Sequence, residues 1–108
     1  MLFHLINNIW LHNWIFDFIE QSLLIKTEKG IVVLVGCSHS GIGSILEVAE
    51  KYGDPYALIG GYHGFDQLEL LQDLEIVCPT HCTEYIDKIK NTYPDKYIEG
   101  GAGTRISI

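Results

Sequence analysis

Three short apolar runs each end in a loop that holds a histidine, and this repeated pairing constrains the chain more than any other feature. Ile31-Val-Val-Leu-Val35 runs into Gly36-Cys37-Ser38-His39, Tyr56-Ala-Leu-Ile59 into Gly60-Gly61-Tyr62-His63, and Ile76-Val-Cys78 into Pro79-Thr80-His81-Cys82. Between the runs the apolar spacing turns helical: Ile42, Ile45, Leu46 and Ala49 fall on one face of Gly41 to Tyr52, and a second helix is expected from an Asp66 N-cap through Leu74. Strands alternating with helices predict an α/β chain with a mixed, partly parallel sheet of α+β character and helices packed on it. In such a sheet the carboxyl ends of successive strands lie along one edge, where ligands bind. Loops far apart in sequence are therefore expected to bring Cys37, His39, His63, His81 and Cys82 toward one place.

The remaining segments complete this picture. Ser22 to Thr27 is β-rich, Glu28-Lys29-Gly30 supplies a turn, and the run from Ile31 reads as the second strand of a hairpin, buried on both faces. Thr83 is expected to cap a helix through Lys90. Lys96 to Glu99 and Thr104 to Ile108 are expected to close the sheet around Gly100-Gly-Ala-Gly103. Leu2 to Ile19 carries both helical and alternating spacing, so its periodicity leaves helix and strand open.

Length and charge narrow the function classes. A chain of 108 residues holds one domain, and 47% hydrophobic residues suffice for a core. A formal net charge of −7 excludes nonspecific nucleic-acid binding, which depends on Lys and Arg against phosphates, and disfavours an anionic membrane surface. The first 19 residues lack a basic leader region and a small-residue cleavage site, and polar residues interrupt them too often for a membrane span. Three cysteines, an odd number, form no disulfide framework; with no secretory signal they fit a reducing cytoplasm.

A single histidine in a loop is usually a surface residue, but three at equivalent strand ends favour metal or substrate binding. Cys78, inside its run, reads as a small buried hydrophobe. Cys37, in the loop beside His39, reads as functional. His4 and His12 read as structural or exposed. No Cys-x2-Cys pair is present for a closed structural zinc site, and no phosphate-loop glycine pattern occurs between strand and helix.

These motifs carry a family resemblance. Glu20 to Ile42, with its Gly-Cys-Ser-His segment, resembles the metallo-β-lactamase-fold proteins known as 7,8-dihydropterin-6-yl-methyl-4-(β-D-ribofuranosyl)aminobenzene 5′-phosphate synthases. Gly60-Gly61-Tyr62-His63 is similar to their Gly-Gly-Phe-His segment, Pro79-Thr80-His81-Cys82-Thr83 to their Pro-Cys-His-Cys-Thr segment, and Ile98 to Ile106 to their closing glycine turn. The likeness covers Glu20 to Ile108. It implies the C-terminal half of an αββα sandwich, preceded by an atypical hydrophobic segment over residues 1–19, with a metal centre at the sheet edge. It also implies His81 as a late metal ligand, Cys37 where most of the superfamily has a bridging aspartate, His39 beside it, and His63 near the metals or a substrate phosphate. The implied cofactor is a divalent metal, zinc by the donor types.

The superfamily's His-x-His-x-Asp-His segment does not occur in these 108 residues. Two functions remain in view. The chain is either a metal-dependent hydrolase- or synthase-like half, inactive alone, that needs a complementary N-terminal half and acts on a phosphate-containing small molecule, or a non-catalytic remnant that binds a partner or a second copy of itself. The apolar first segment, with Trp10 and Trp14, is a candidate cover for an open sheet face or a partner surface.

Overall fold

The computed structural model describes residues 2–6, 8–15, 19–38, 41–80, 83–100 and 105–108. They form one six-stranded sheet in the order of the chain: β1 (Leu2–Ile6), β2 (Ile9–Ile15), β3 (Ile19–Thr27), β4 (Gly30–Val35), β5 (Pro55–Gly60) and β6 (Ile76–Pro79). The first four strands pair antiparallel, and β4–β5 and β5–β6 pair parallel. The parallel part has the crossovers that parallel pairing requires: α1 (Ile42–Glu50) joins β4 to β5, and a single 3-10 turn (Leu68–Leu71) lies between β5 and β6. A second helix, α2 (Ile86–Thr92), follows β6.

Local chemistry sets the hairpin between β3 and β4. The Thr27 hydroxyl donates to the Gly30 carbonyl at 2.8 Å and accepts from the Lys29 amide at 3.2 Å, which closes the turn. On β4, Ile31, Val32 and Val33 are buried but Leu34 and Val35 are half-buried, so the strand expected to be covered on both faces is covered so only in its first part.

Strand alternation sorts the side chains into two faces. The register aligns Trp10, Leu24, Val33, Leu58 and Val77 across β2 to β6. This row packs into the core with Ile42, Ile45, Leu46 and Ala49 of α1, Leu68 and Leu71 of the 3-10 turn, and Ile89 of α2. Each fully buried Leu, Ile or Val contributes about 1.5–3 kcal/mol by leaving water, so this one cluster supplies much of the driving force. The opposite face carries two further apolar rows, Ile9–Ile25–Val32–Ala57–Ile76 and Leu11–Leu23–Leu34–Ile59–Cys78.

The structure decides one open reading and corrects four expectations. The segment Leu2 to Ile15, ambiguous by periodicity, forms strands β1 and β2. Trp10 of β2 packs toward the helices, with its ring centroid 5.0 Å from that of Tyr52, so this residue joins the helix-covered side and does not cap the other face. The helix expected from Asp66 to Leu74 shrinks to the 3-10 turn, with Gln67 at its N-cap position. Its buried leucines, Leu68, Leu71 and Leu74, recur every third residue, the period of a 3-10 turn rather than of an α-helix. Tyr93 and Lys96 secure this stretch from the far side of α2, donating to the Leu68 carbonyl at 2.7 Å and the Gln72 carbonyl at 2.8 Å. Thr83 caps no helix: α2 begins at Ile86, with no side-chain cap bond. The closing strands reduce to one parallel bridge, Val77 with Tyr97, and residues 105–108 are irregular.

Candidate functional site

The loops after β4, β5 and β6 meet at one edge of the sheet, and backbone hydrogen bonds tie them together. Past the last rung of β4–β5, the Gly61 amide donates to the Gly36 carbonyl at 2.7 Å and the His63 amide to the Cys37 carbonyl at 2.9 Å. On the other side the Thr80 amide donates to the Gly60 carbonyl at 2.7 Å. The parallel ladder thus outruns the regular strands.

Gly60 makes this close approach possible. Its φ is +136°, and a Cβ there would overlap the Val35 carbonyl oxygen. Only glycine adopts that backbone without strain and lets the two chains come so near.

Two of the four proposed site residues fall among the described positions. Cys37 is half-buried and His63 is exposed, at a turn completed by Gly64 with φ +62°. A cleft opens beside His63, between its loop and the start of α1, lined by Gly41, Gly43, Gly64, Phe65 and Asp66. His39 and His81 lie outside the described residues, as does Cys82.

Sequence reading missed several supports of this edge. Tyr62, fully buried, donates its hydroxyl to the Leu58 carbonyl at 2.5 Å and stacks edge-on against Phe65. Burial, the largest influence, pushes its pKa well above the ordinary tyrosine value, so the phenol stays protonated and acts as a fixed donor. The Thr83 hydroxyl accepts the Tyr62 amide at 3.0 Å, linking the second loop to the third. The apolar-looking position of Tyr62 and the helix-start reading of Thr83 hid both roles.

Ser38 also departs from expectation. It takes φ +63°, is only 1% exposed, and its hydroxyl has no hydrogen-bond partner among the described residues. A left-handed non-glycine residue is uncommon, and a buried unpaired hydroxyl costs free energy. Both features cluster at functional sites. Cys78, by contrast, is 2% exposed, and burial raises its thiol pKa, as its reading as a buried hydrophobe requires. His12 is half-buried in β2, and burial lowers its pKa, in keeping with a structural residue.

The donor types at this edge, a cysteine sulfur and imidazole nitrogens, suit a zinc-type ion. Among the described residues no three His, Cys, Asp or Glu side chains gather closely enough to hold one. Of the three residues expected to hold a metal, Cys37, His39 and His81, Cys37 alone falls among the described positions.

This sheet and its loop edge define the class: the chain carries a metallo-β-lactamase-type fold. It superposes on the crystal structure of a metal-dependent hydrolase of the β-lactamase superfamily with a TM-score of 0.80, at 22% identity, over 99% of this chain and 56% of the other. In sequence it is related to the 7,8-dihydropterin-6-methyl-4-(β-D-ribofuranosyl)-aminobenzene-5′-phosphate synthase of Methanocaldococcus jannaschii, 33% identical over 93 residues that cover 74% of this chain and 31% of the relative. An uncharacterised protein of the same organism is 29% identical over 89 residues, covering 74% of this chain and 34% of that protein. The chain therefore spans about a third of the length of the curated relatives it matches. No protein-family model matches it.

Proposed function

We propose that this chain supplies the strand-end loops of a metal-dependent hydrolase- or synthase-type site and works with a complementary N-terminal half. In this reading Cys37, His39 and His81 hold a divalent ion, zinc by donor type, and His63 contacts the phosphate of a small-molecule substrate. The observation that carries it is the pair of backbone bonds, His63 to Cys37 and Thr80 to Gly60, which bring the three histidine-bearing loops to one sheet edge. The relationship to the dihydropterin-linked phosphate synthase and the fold shared with a metal-dependent hydrolase support the same chemistry.

When bound, such an ion supplies an activated hydroxide or polarises a phosphoryl or carbonyl oxygen. The chain's own parts are narrower. Cys37 would supply a sulfur donor to the ion. His63, exposed at the mouth of the cleft, would contact a phosphate there. Cytoplasmic residence is part of the proposal, since three cysteines, an odd number, fit a reducing compartment. No helix among the described residues is long and apolar enough to cross a membrane.

Elemental analysis of purified chain and of His81→Ala tests the assignment. Near-stoichiometric zinc in the first and little in the second is expected; equal metal in both sinks it.

One observation favours a second, non-catalytic reading, a docking role. The face opposite the core cluster carries the two unbroken apolar rows across β2 to β6, and Ile9, Leu11, Leu23, Ile25, Leu34, Ile59 and Ile76 in them are only half-buried. Such an area favours a covering partner, either the complementary half or a second copy of the chain. Size-exclusion chromatography with light scattering discriminates: a dimer or larger species supports self-association, and a stable monomer at high concentration counts against it.

A further inference from the structure

Two hydrogen bonds join the second loop to the third at separate points. The Thr80 amide donates to the Gly60 carbonyl at 2.7 Å, and the Tyr62 amide donates to the Thr83 hydroxyl at 3.0 Å. Within the third loop, the Thr83 amide donates to the Thr80 carbonyl at 3.0 Å. Gly60 to Tyr62 and Thr80 to Thr83 are thus the two sides of a closed hydrogen-bonded ring. Three of its corners are backbone groups that many sequences would supply. The fourth is the Thr83 hydroxyl.

Tyr62 is fully buried. Its amide immediately precedes His63 and meets no strand partner, because β5 ends at Gly60. Without the hydroxyl this buried donor loses its acceptor, and among the described residues the backbone bond at Gly60 remains as the tie between the two loops. A backbone bond at one end still leaves a hinge; a second bond at the other end fixes the angle between the loops.

We propose that Thr83 is a positioning residue whose hydroxyl locks the loop carrying His63 to the third loop at Thr83, in addition to the backbone bond at Thr80. The proposal rests on the metal-site reading above for its consequence, and on the hydrogen-bonded ring for its geometry. Thr83 touches no reacting atom. It acts through the Tyr62 amide on the neighbouring His63.

The test uses the 108-residue chain with Thr83→Val, which keeps the shape and removes the acceptor, Thr83→Ser, which keeps the acceptor, and Thr83→Ala as a second removal variant. Amide hydrogen exchange by NMR reads the lock directly, and zinc competition against a chromophoric chelator reads its consequence. Expected are exchange at Tyr62 and His63 at least about tenfold faster in Thr83→Val and Thr83→Ala, and zinc affinity about 10–100-fold weaker, the usual cost of losing a group that orients metal ligands. Thr83→Ser restores both. Unchanged exchange in the removal variants overturns the proposal, as does faster exchange with wild-type zinc affinity. If the wild type and His81→Ala bind zinc equally, the metal reading fails by itself, and exchange alone then decides whether Thr83 fixes the loops.

Discussion

The His63 amide donates to the Cys37 carbonyl at 2.9 Å, although 26 residues and helix α1 separate the two in the chain. This bond is the outermost rung of the β4–β5 ladder, formed where neither residue is in a strand. It places a half-buried thiol and an exposed imidazole on adjacent loops and gives the proposed site a rigid floor.

If Cys37 is a metal ligand, its sulfur and not its volume matters. Cys37→Ser is expected to weaken zinc binding at least about tenfold, while Cys37→Asp, which restores a charged donor, keeps more of the affinity. Chelator competition measures both; equal affinity of Cys37→Ser and wild type removes Cys37 from the ligand set.

Gly60 lies where the three loops meet, and its backbone leaves no space for a side chain. Gly60→Ala forces a Cβ into the Val35 carbonyl and a non-glycine residue to φ +136°. A loss of about 2–4 kcal/mol in urea unfolding is expected, from strain and broken ladder bonds together. A change below about 0.5 kcal/mol would show that the β4–β5 approach relaxes freely.

Alkaline stability follows from two buried acids held protonated. Burial raises the Cys78 thiol from its ordinary 9.0 and the Tyr62 phenol well above 10.0. Both folded values exceed the unfolded ones, so the unfolded chain releases these protons first as pH rises. Their contribution is complete below pH 9 and is lost progressively above it. Thermal or urea unfolding from pH 7 to 11 is expected to show this decline, flatter in Cys78→Ala near pH 9–10 and in Tyr62→Phe above pH 10. Tyr62→Phe also removes the hydroxyl bond to Leu58, at a cost of about 0.5–1.5 kcal/mol at neutral pH.

The thiols should differ in reactivity. Cys37 is half-buried in a loop, whereas Cys78 is buried in β6 with its thiolate disfavoured. Iodoacetamide labelling of native protein at pH 7.5, mapped by mass spectrometry, is expected to modify Cys37 at least about tenfold faster than Cys78. Equal rates would mean that β6 opens readily or that Cys37 is shielded.

Much of this architecture is legible in the residues. The runs at Ile31, Tyr56 and Ile76 are β4, β5 and β6, because β-branched and aromatic residues bounded by glycine, proline and charge have few other options. Helix α1 follows from Ile42, Ile45, Leu46 and Ala49, which share one face at a 3.6-residue period and are all buried. The loop edge follows from topology, since parallel strands put their carboxyl ends on the same side. Elsewhere local pattern misleads. The stretch after Asp66 holds leucines three apart, and only Tyr93 and Lys96, over twenty residues away, hold it as a single 3-10 turn. The first strands read equally well as helix until β3 offers them a partner.

The sequence by itself determined where the polar loops interrupt apolar strands, because burial and backbone preference act over a few neighbouring residues. Which groups support those loops was decided only in three dimensions. Thr83 looked like a helix cap and is the acceptor for the Tyr62 amide; Tyr62 read only as a loop residue before His63 and is a fixed donor to Leu58. Ser38 gave no sign of its left-handed backbone. A hydrogen bond between residues 21 apart leaves no period or spacing to read; it exists because the folded sheet edge brings a buried amide within reach of one hydroxyl.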